Sequence, residues 1–427
     1  MDFVALPDAP RVRLSNLTAP SCLLGSNGGL QTLDLTIDRA TGRITDAPPD
    51  AALDMGRAMV LPCFTDAHTH IDKGHIWGRA PNPDGTFMGA LTTVSADRTA
   101  NWSASDLRAR ADFSLRCAYA HGTRALRTHL DSVPPQHVIS WPVFRELRND
   151  WAGRIDLQAV SLVGADFIEA GGDGGAAFQA LARVVADSGG VLGAVTWPLP
   201  DLAPRLDNFF RTAERLGLNA DFHVDETMDP TSRTLTEIAQ AIIRTGYGGR
   251  VNVGHCCSLS MQPQGDADRC LDLVAQAGIA VISLPMCNMY LQDRHAGRTP
   301  RGRGVTLVHE MAARGIPVAF ASDNTRDPFY AYGDLDMLEV MREAVRIAHL
   351  DHGRDDWAHA FTTTPARICG MAEASFAPGA PADLVLFKAR SWTELLSRPQ
   401  SDRVVLRAGR AIDRTLPDYA ELDGIMA

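Results

Sequence analysis

Short apolar runs rich in β-branched and aromatic residues recur along the chain, and several finish abruptly in a polar, metal-capable residue. They fall at residues 60–73, 123–131, 155–163, about 191–196, 220–226, 250–255, 280–285 and 316–323. Between them lie stretches with apolar residues three or four apart, at 103–121, 176–186, 234–243, 267–277 and 337–349, the period of a helix face. The last of these, MLEVMREAVRIAH, carries a Met and Val stripe suited to packing against strands. Strands that alternate with helical lengths predict an α/β fold, a (β/α)8 TIM barrel, with its site at the C-terminal ends of the strands.

The two ends of the chain follow a different rhythm. Residues 10–60 alternate short apolar runs with turn residues such as Gly42 and Pro48-Pro49, and strand-like runs return at 381–387 and 403–407. Each run is too short to stand alone, so both ends are expected to pair into one small β-sandwich beside the barrel. The expected boundaries are 1–60 and 373–427 for the sandwich and 61–372 for the metal-dependent barrel. The Gly- and Pro-rich stretch 74–89 after the first barrel strand is either a lid or an ordinary connector.

Composition narrows the partners. A net charge of -10 and a pI near 5.7, with no cationic cluster, argue against a nucleic-acid binder. Eight cysteines are scattered without a CxxC pair, as reduced thiols in apolar runs would be. The opening MDFVALPDAPRVRL has neither the basic start nor the apolar core of a signal peptide, and no run approaches a membrane span. A soluble cytoplasmic protein with a small-molecule substrate, and no membrane or nucleic-acid partner, is the expectation.

The candidate chemistry starts at His68-Thr69-His70, where the first apolar run ends. In an extended strand residues two apart share a face, so both imidazoles can aim at one point. Three more runs end in His223, His255 and Asp323. Neutral imidazoles with one carboxylate suit zinc or iron(II) and do not suit calcium or magnesium. His129 and Asp131 are chemically able to ligate, and equally able to support the site from behind; support is favoured. The chain has only two lysines, Lys73 and Lys388, and none lies in the expected fourth strand, where two-metal hydrolases of one large class place a carbamylated lysine.

The ordered set His68/His70, His223-Val-Asp-Glu226, His255 and Ser322-Asp323 resembles the amidohydrolase superfamily, within it the cytosine deaminase branch. Arg127-Thr-His-Leu-Asp131, Asn288-Met-Tyr-Leu-Gln-Asp-Arg294 and Asp327-Pro-Phe-Tyr330 extend the resemblance across residues 10 to 415. It implies a distorted (β/α)8 barrel with a β-sandwich from both termini and one divalent metal per chain, zinc or iron(II). It also implies His68, His70, His223 and Asp323 as ligands, Glu226 as proton shuttle, and His255 as the group that holds the hydrolytic water or polarises the leaving site, in a branch that often forms homo-oligomers. Such a site would release ammonia from an amino-substituted nitrogen heterocycle. An ion makes water acidic enough to serve as nucleophile near neutrality, and a carboxyl close to the metal but not bound to it can protonate the ring nitrogen.

Substrate residues follow less directly. The branch carries a glutamine past strand three where this chain has Val163, a carboxylate pair where it has Asp323-Asn324, and often a tryptophan where it has Phe329. A lost hydrogen-bonding partner shifts discrimination by several kcal/mol, which argues against cytosine itself. The ending His70-Ile-Asp-Lys73 is similar to enzymes related to N-isopropylammelide aminohydrolase, which remove amines or alkylamines from triazine-like rings, and there Lys73 could hold a ring carbonyl or carboxylate. Trp77, Gln158, Asn288 and Gln292 complete the expected substrate contacts. A cyclic-amide hydrolase, and a barrel that binds a small heterocycle without turning it over, are the remaining alternatives.

Overall fold

The computed structural model describes residues 3–352, 357–399 and 402–426. The first five strands are β1 (Arg11–Pro20), β2 (Leu30–Asp38), β3 (Arg43–Thr45), β4 (Ala51–Asp54) and β5 (Met59–Pro62). Eight more follow with helices between them: β6 (Phe64–Thr69), β7 (Thr123–Asp131), β8 (Asp156–Leu162), β9 (Leu192–Thr196), β10 (Ala220–Val224), β11 (Val251–His255), β12 (Ala280–Ser283) and β13 (Val318–Phe320). The chain closes with β14 (Leu384–Phe387), β15 (Arg403–Arg407) and β16 (Arg410–Ala411).

Strands β6 to β13 pair in parallel as two ladders, β6-β7-β8 and β9-β10-β11-β12-β13. The ladders meet at both edges. On one side Val160 and Gly164 bridge Val191 and Val195; on the other Thr69 bridges Asp323. The second seam is cross-braced by Asp66, whose carboxylate accepts from the Ser322 amide at 3.1 Å and its hydroxyl at 2.5 Å. The first seam depends on Gly193, where a Cβ would lie 2.4 Å from Val160 Cγ1 and 2.5 Å from the Ser161 carbonyl. All five residues of β10 and of β11 are buried, as parallel strands covered on both faces require.

Five helices coincide with the expected 3.6-residue periods, whereas His137–Asp150 and Leu202–Leu216 lie outside them, and several helix ends have identifiable causes. Ser103 accepts from the Asp106 amide at 3.2 Å and starts the helix Ala104–His121, which Gly122 ends at φ 102°. Helix Met337–Ala348 buries Met337, Leu338, Val340, Met341, Ala344 and Ile347, each apolar side chain worth about 1.5–3 kcal/mol when fully buried. One helix, Phe87–Asn101, overlaps the expected loop 74–89 and was not legible in the pattern. It leaves Met88 and Leu91 exposed, so its apolar residues do not define one stripe.

Both ends of the chain join one sheet of order β16-β15-β14-β5-β1-β2-β3, with β4 paired to β1. The sheet curls until Arg43 on β3 bridges Pro381, just ahead of β14. Val12, Leu14, Ile37, Ile44, Leu384, Leu386, Val404 and Leu406 pack together in a core separate from the main one. Among the described residues no helix is long and apolar enough to cross a membrane.

Candidate active site

Five strands deliver the site's side chains to their C-terminal ends. His68 lies on β6 and His70 follows it immediately; His129 lies near the end of β7, His223 on β10, and His255 closes β11. Asp323 stands three residues beyond β13 and is anchored by its amide, which donates to the His68 carbonyl at 2.9 Å. His255 and Asp323 adopt φ of 70° and 65°, a left-handed backbone rare for residues with a Cβ and often found where structure is held for function.

The donors converge. His223 Nε2 lies 3.1 Å from both His68 Nε2 and His70 Nε2. Asp323 Oδ1 lies 3.3 Å from His70 Nε2 and 3.6 Å from His68 Nε2. His68, His70 and Asp323 are 0%, 5% and 1% exposed, so water does not compensate them. Both oxygens of Asp323 lack any hydrogen-bond partner, as do the Nδ1 atoms of His68, His70 and His223. Unpaired buried carboxylate oxygens are costly, and a cation among three imidazole nitrogens satisfies them. The donor set therefore fits a divalent ion of the zinc or iron(II) type.

Electrostatics lead to the same conclusion. Burial, followed by the neighbouring imidazoles and Lys73, holds His68, His70, His129 and His223 well below the usual histidine value, leaving neutral nitrogens able to ligate. Burial also pushes Asp323 up to about 8, so its ionised form calls for a positive charge close by. Glu226 is raised well above the ordinary carboxyl range by burial and by Asp323, with Lys73 opposing.

Around the donors stand most of the expected partners. Glu226 Oε1 is 3.5 Å from His255 Nδ1 and 3.5 Å from Asn288 Nδ2, while Asn288 Nδ2 lies 2.9 Å from the same His255 nitrogen. Gln292 donates to the Glu226 carbonyl at 3.2 Å. Lys73 Nζ bonds Asp131 at 2.9 Å and sits 5.6 Å from the centroid of the Phe329 ring; Asp131 also holds Arg98 at 2.6 Å. Asn324 donates to Asp327 at 2.7 Å. Trp77 is half-buried, its amide bonded to the Arg326 carbonyl at 2.9 Å.

Two expected contacts lie elsewhere. Gln158 pairs in register with Arg127, two residues before His129 on β7, and its amide is engaged by Arg127 at 2.9 and 3.1 Å and by the Cys369 carbonyl at 3.2 Å. With Asp221 bonded to Arg127 at 2.7 Å, it belongs to a polar network at the N-terminal side of the strands. Val163 is buried in the main apolar core just past β8.

His129, expected to support the site from behind, stands among the donors. Its ring lies 3.9 Å from that of His68 at 33°, neither of its nitrogens has a partner, and one of them lies within 4.8 Å of donor atoms on His68 and His223. Its Thr-His-Leu-Asp setting carried the signal, but nothing in the spacing separates a stacked imidazole from a ligating one. Cys287, whose thiol lies 3.5 Å from Asn324 Oδ1, gave no sequence signal at all.

Parallel strands that gather imidazoles and one carboxylate at their C-terminal ends form a donor set able to hold a metal ion. The chain belongs to the amidohydrolase family, whose profile matches residues 105–413, and is thus a hydrolase of carbon–nitrogen bonds. Among its relatives, a pterin deaminase from Rhizobium rhizogenes (strain K84) is 56% identical, with 99% of each chain aligned. The structure resembles that of 5-methylcytosine deaminase from Klebsiella pneumoniae liganded with 5-fluorocytosine: the TM-score is 0.79 at 25% identity, covering 96% of this chain and 98% of the other. It also resembles N-isopropylammelide isopropylaminohydrolase from Burkholderia multivorans, with a TM-score of 0.69 at 25% identity and coverage of 94% and 97%.

Proposed function

We propose that the protein is a metal-dependent aminohydrolase on a distorted (β/α)8 barrel that removes the exocyclic amine of a pterin-type ring as ammonia. The convergence of His68, His70, His223 and Asp323, with Glu226 beside them, carries the reading. The pterin class is favoured over cytosine by the 56% identical relative and by Asn324 and Phe329, which stand where the cytosine pattern has a second carboxylate and often a tryptophan.

His68, His70, His223 and Asp323 would hold one divalent ion. When bound, that ion supplies the Lewis acidity that makes water a competent nucleophile near neutral pH. The chain's own groups handle the protons. Asp323 would help hold the ion, and its carboxylate accepts the proton of the attacking water. Glu226, whose neutral form burial favours, protonates the ring nitrogen next to the amine-bearing carbon and so makes that carbon electrophilic. His255, fixed by Asn288, orients the water. The carbon–oxygen bond forms, Asp323 passes the water proton on to the exocyclic amine, the carbon–nitrogen bond breaks with loss of ammonia, and the hydroxyl proton left on the ring carbon returns to Glu226 as the carbonyl forms. Lys73 and Asn324 face the ring's polar edge and Phe329 its face.

Removal of an alkylamine from a triazine-like ring is the second reading, supported by the Lys73 ending and the N-isopropylammelide hydrolase likeness. A two-metal cyclic-amide hydrolase is disfavoured because β9, Leu-Gly-Ala-Val-Thr, offers no bridging lysine. The test is ammonia or amine release by metal-loaded protein from pterin, cytosine, ammelide and N-isopropylammelide. Pterin should give a kcat/KM at least about tenfold above the others, a discrimination typical of one buried hydrogen-bonding mismatch. Silence on every ring would refute the reading.

A further inference from the structure

The loop after β6, residues 70–80, and the loop after β13, residues 323–333, carry most of the candidate site: His70, Lys73 and Trp77 on one, Asp323, Asn324 and Phe329 on the other. They are zipped together by only two backbone bonds, from His75 to the Thr325 carbonyl at 3.0 Å and from Trp77 to the Arg326 carbonyl at 2.9 Å. The seam is strained: His75, Asp323 and Arg326 all have left-handed backbones, with φ of 65°, 65° and 49°. Such conformations persist only where surrounding structure holds them.

The segment 418–426, far along the chain, supplies that hold. Asp418 and Glu421 form a capping box that starts a helical turn at Tyr419. The Tyr419 ring lies 4.0 Å from the Arg326 guanidinium carbon and 5.5 Å from the stacked Phe113 ring, and its hydroxyl donates to Asp334 at 3.1 Å. Arg326 Nε has no hydrogen-bond partner, and the Tyr419 ring covers the guanidinium face. At the other end of the segment the Ile425 carbonyl accepts from Arg79 at 2.8 Å, on the continuation of the first loop, and Met426 packs on Gly78. Leu422, Ile425 and Met426 join Phe113 and Cys117 in a small core of their own, and Glu421 pairs with Arg116 at 2.7 Å. The segment thus touches both loops and ties them to the helix Ala104–His121.

We propose that residues 418–426 are a strap that keeps the two substrate-facing loops in register, with Tyr419 and Arg326 as its positioning residues. Neither touches the metal-ligating atoms. They act on Lys73, Asn324 and Phe329 through the seam, so loosening the strap should alter substrate capture and leave the ion in place.

Hydrogen exchange on the full-length protein tests this without reference to any substrate. Tyr419→Ala should speed exchange of peptides covering 70–80 and 323–333 by about tenfold, while β10 peptides stay at the wild-type rate, as expected for local opening. Tyr419→Phe keeps the ring on Arg326 and should stay within about twofold of wild type. Arg326→Met keeps the side-chain stem, removes the cation, and should reproduce the alanine effect; it decides the matter if Tyr419→Ala does not fold. Unchanged exchange in both loops overturns the proposal, as does acceleration spread equally over β10. The kinetic counterpart rests on the aminohydrolase reading: KM for pterin should rise about fivefold to tenfold in Tyr419→Ala with kcat and metal content nearly unchanged. A wild-type protein that turns over no ring would sink that reading alone and leave the exchange result to judge the strap.

Discussion

Replacing Glu226 by glutamine isolates the proton-transfer role, because the substitution keeps the shape of the side chain and removes its acid. The amide oxygen still accepts from Asn288, which lies 3.5 Å from the carboxylate now, and no cavity opens. Burial and Asp323 raise Glu226 well above the ordinary carboxyl range, which favours its neutral form and makes the neutral amide a close replacement. Stability should change by no more than about 1 kcal/mol, the worth of one ordinary hydrogen bond. Catalysis should change much more. A positioned general acid contributes about 10²–10⁴-fold, equivalent to roughly 3–5 kcal/mol of barrier. The assay is ammonia release from pterin under saturating and limiting substrate, with metal content and melting temperature measured on the same samples. A fall of at least about a hundredfold in kcat, at normal metal content and melting temperature, is expected. A variant that keeps kcat within about tenfold of wild type refutes the assignment of the shuttle to this residue.

Lys73→Met should raise KM by about tenfold while the ion stays bound, since one charged contact is worth roughly 1.5–3 kcal/mol and Asp131 keeps its bond to Arg98; an unchanged KM removes Lys73 from the substrate. Burial pushes the Asp336 carboxyl up, but Arg403, bonded through both nitrogens, and His121 outweigh it and hold Asp336 well below its ordinary value. A depressed carboxylate stabilises the fold above the unfolded value near 3.9, and that contribution is lost as pH falls through the folded value. Asp336→Asn should therefore cost about 3–5 kcal/mol at neutrality and lose less stability than wild type on acidification below about pH 4; parallel unfolding curves across that window contradict it. Gly122→Ala places a Cβ 2.7 Å from Val385 Cγ2 at φ 102°, and should destabilise by about 1–3 kcal/mol in urea unfolding; a change near zero would mean that the seam between the barrel and terminal sheet yields freely.

The strands that end in His68, His70, His223, His255 and Asp323 were legible because a buried parallel strand is a nearly continuous apolar run, and a polar residue at its end stands out. Helices with a strong stripe, such as Met337–Ala348, were legible for the same reason. Helix Phe87–Asn101 was not, because it follows a Gly- and Pro-rich stretch and exposes apolar residues on its outer side. Gln158 illustrates a register problem. Its strand was located, but with a period of two a site residue and a residue of the network beneath it share a face, and only the pairing of Gln158 with Arg127 tells them apart. The strap at 418–426 and the curl of the terminal sheet rest on contacts across hundreds of residues, about which local pattern says nothing.

The central claim is that four residues from three separated segments, His68 and His70 at the end of β6, His223 on β10 and Asp323 beyond β13, share one cation. Elemental analysis of the purified protein, before and after chelation and reloading, tests it most directly, alongside His68→Ala and Asp323→Asn. About one zinc or iron per chain is expected, with loss of the ion in both variants and ammonia release rising in proportion to metal on reloading. Ion content near one per chain in both variants, or turnover that persists after the metal is stripped, would contradict the claim.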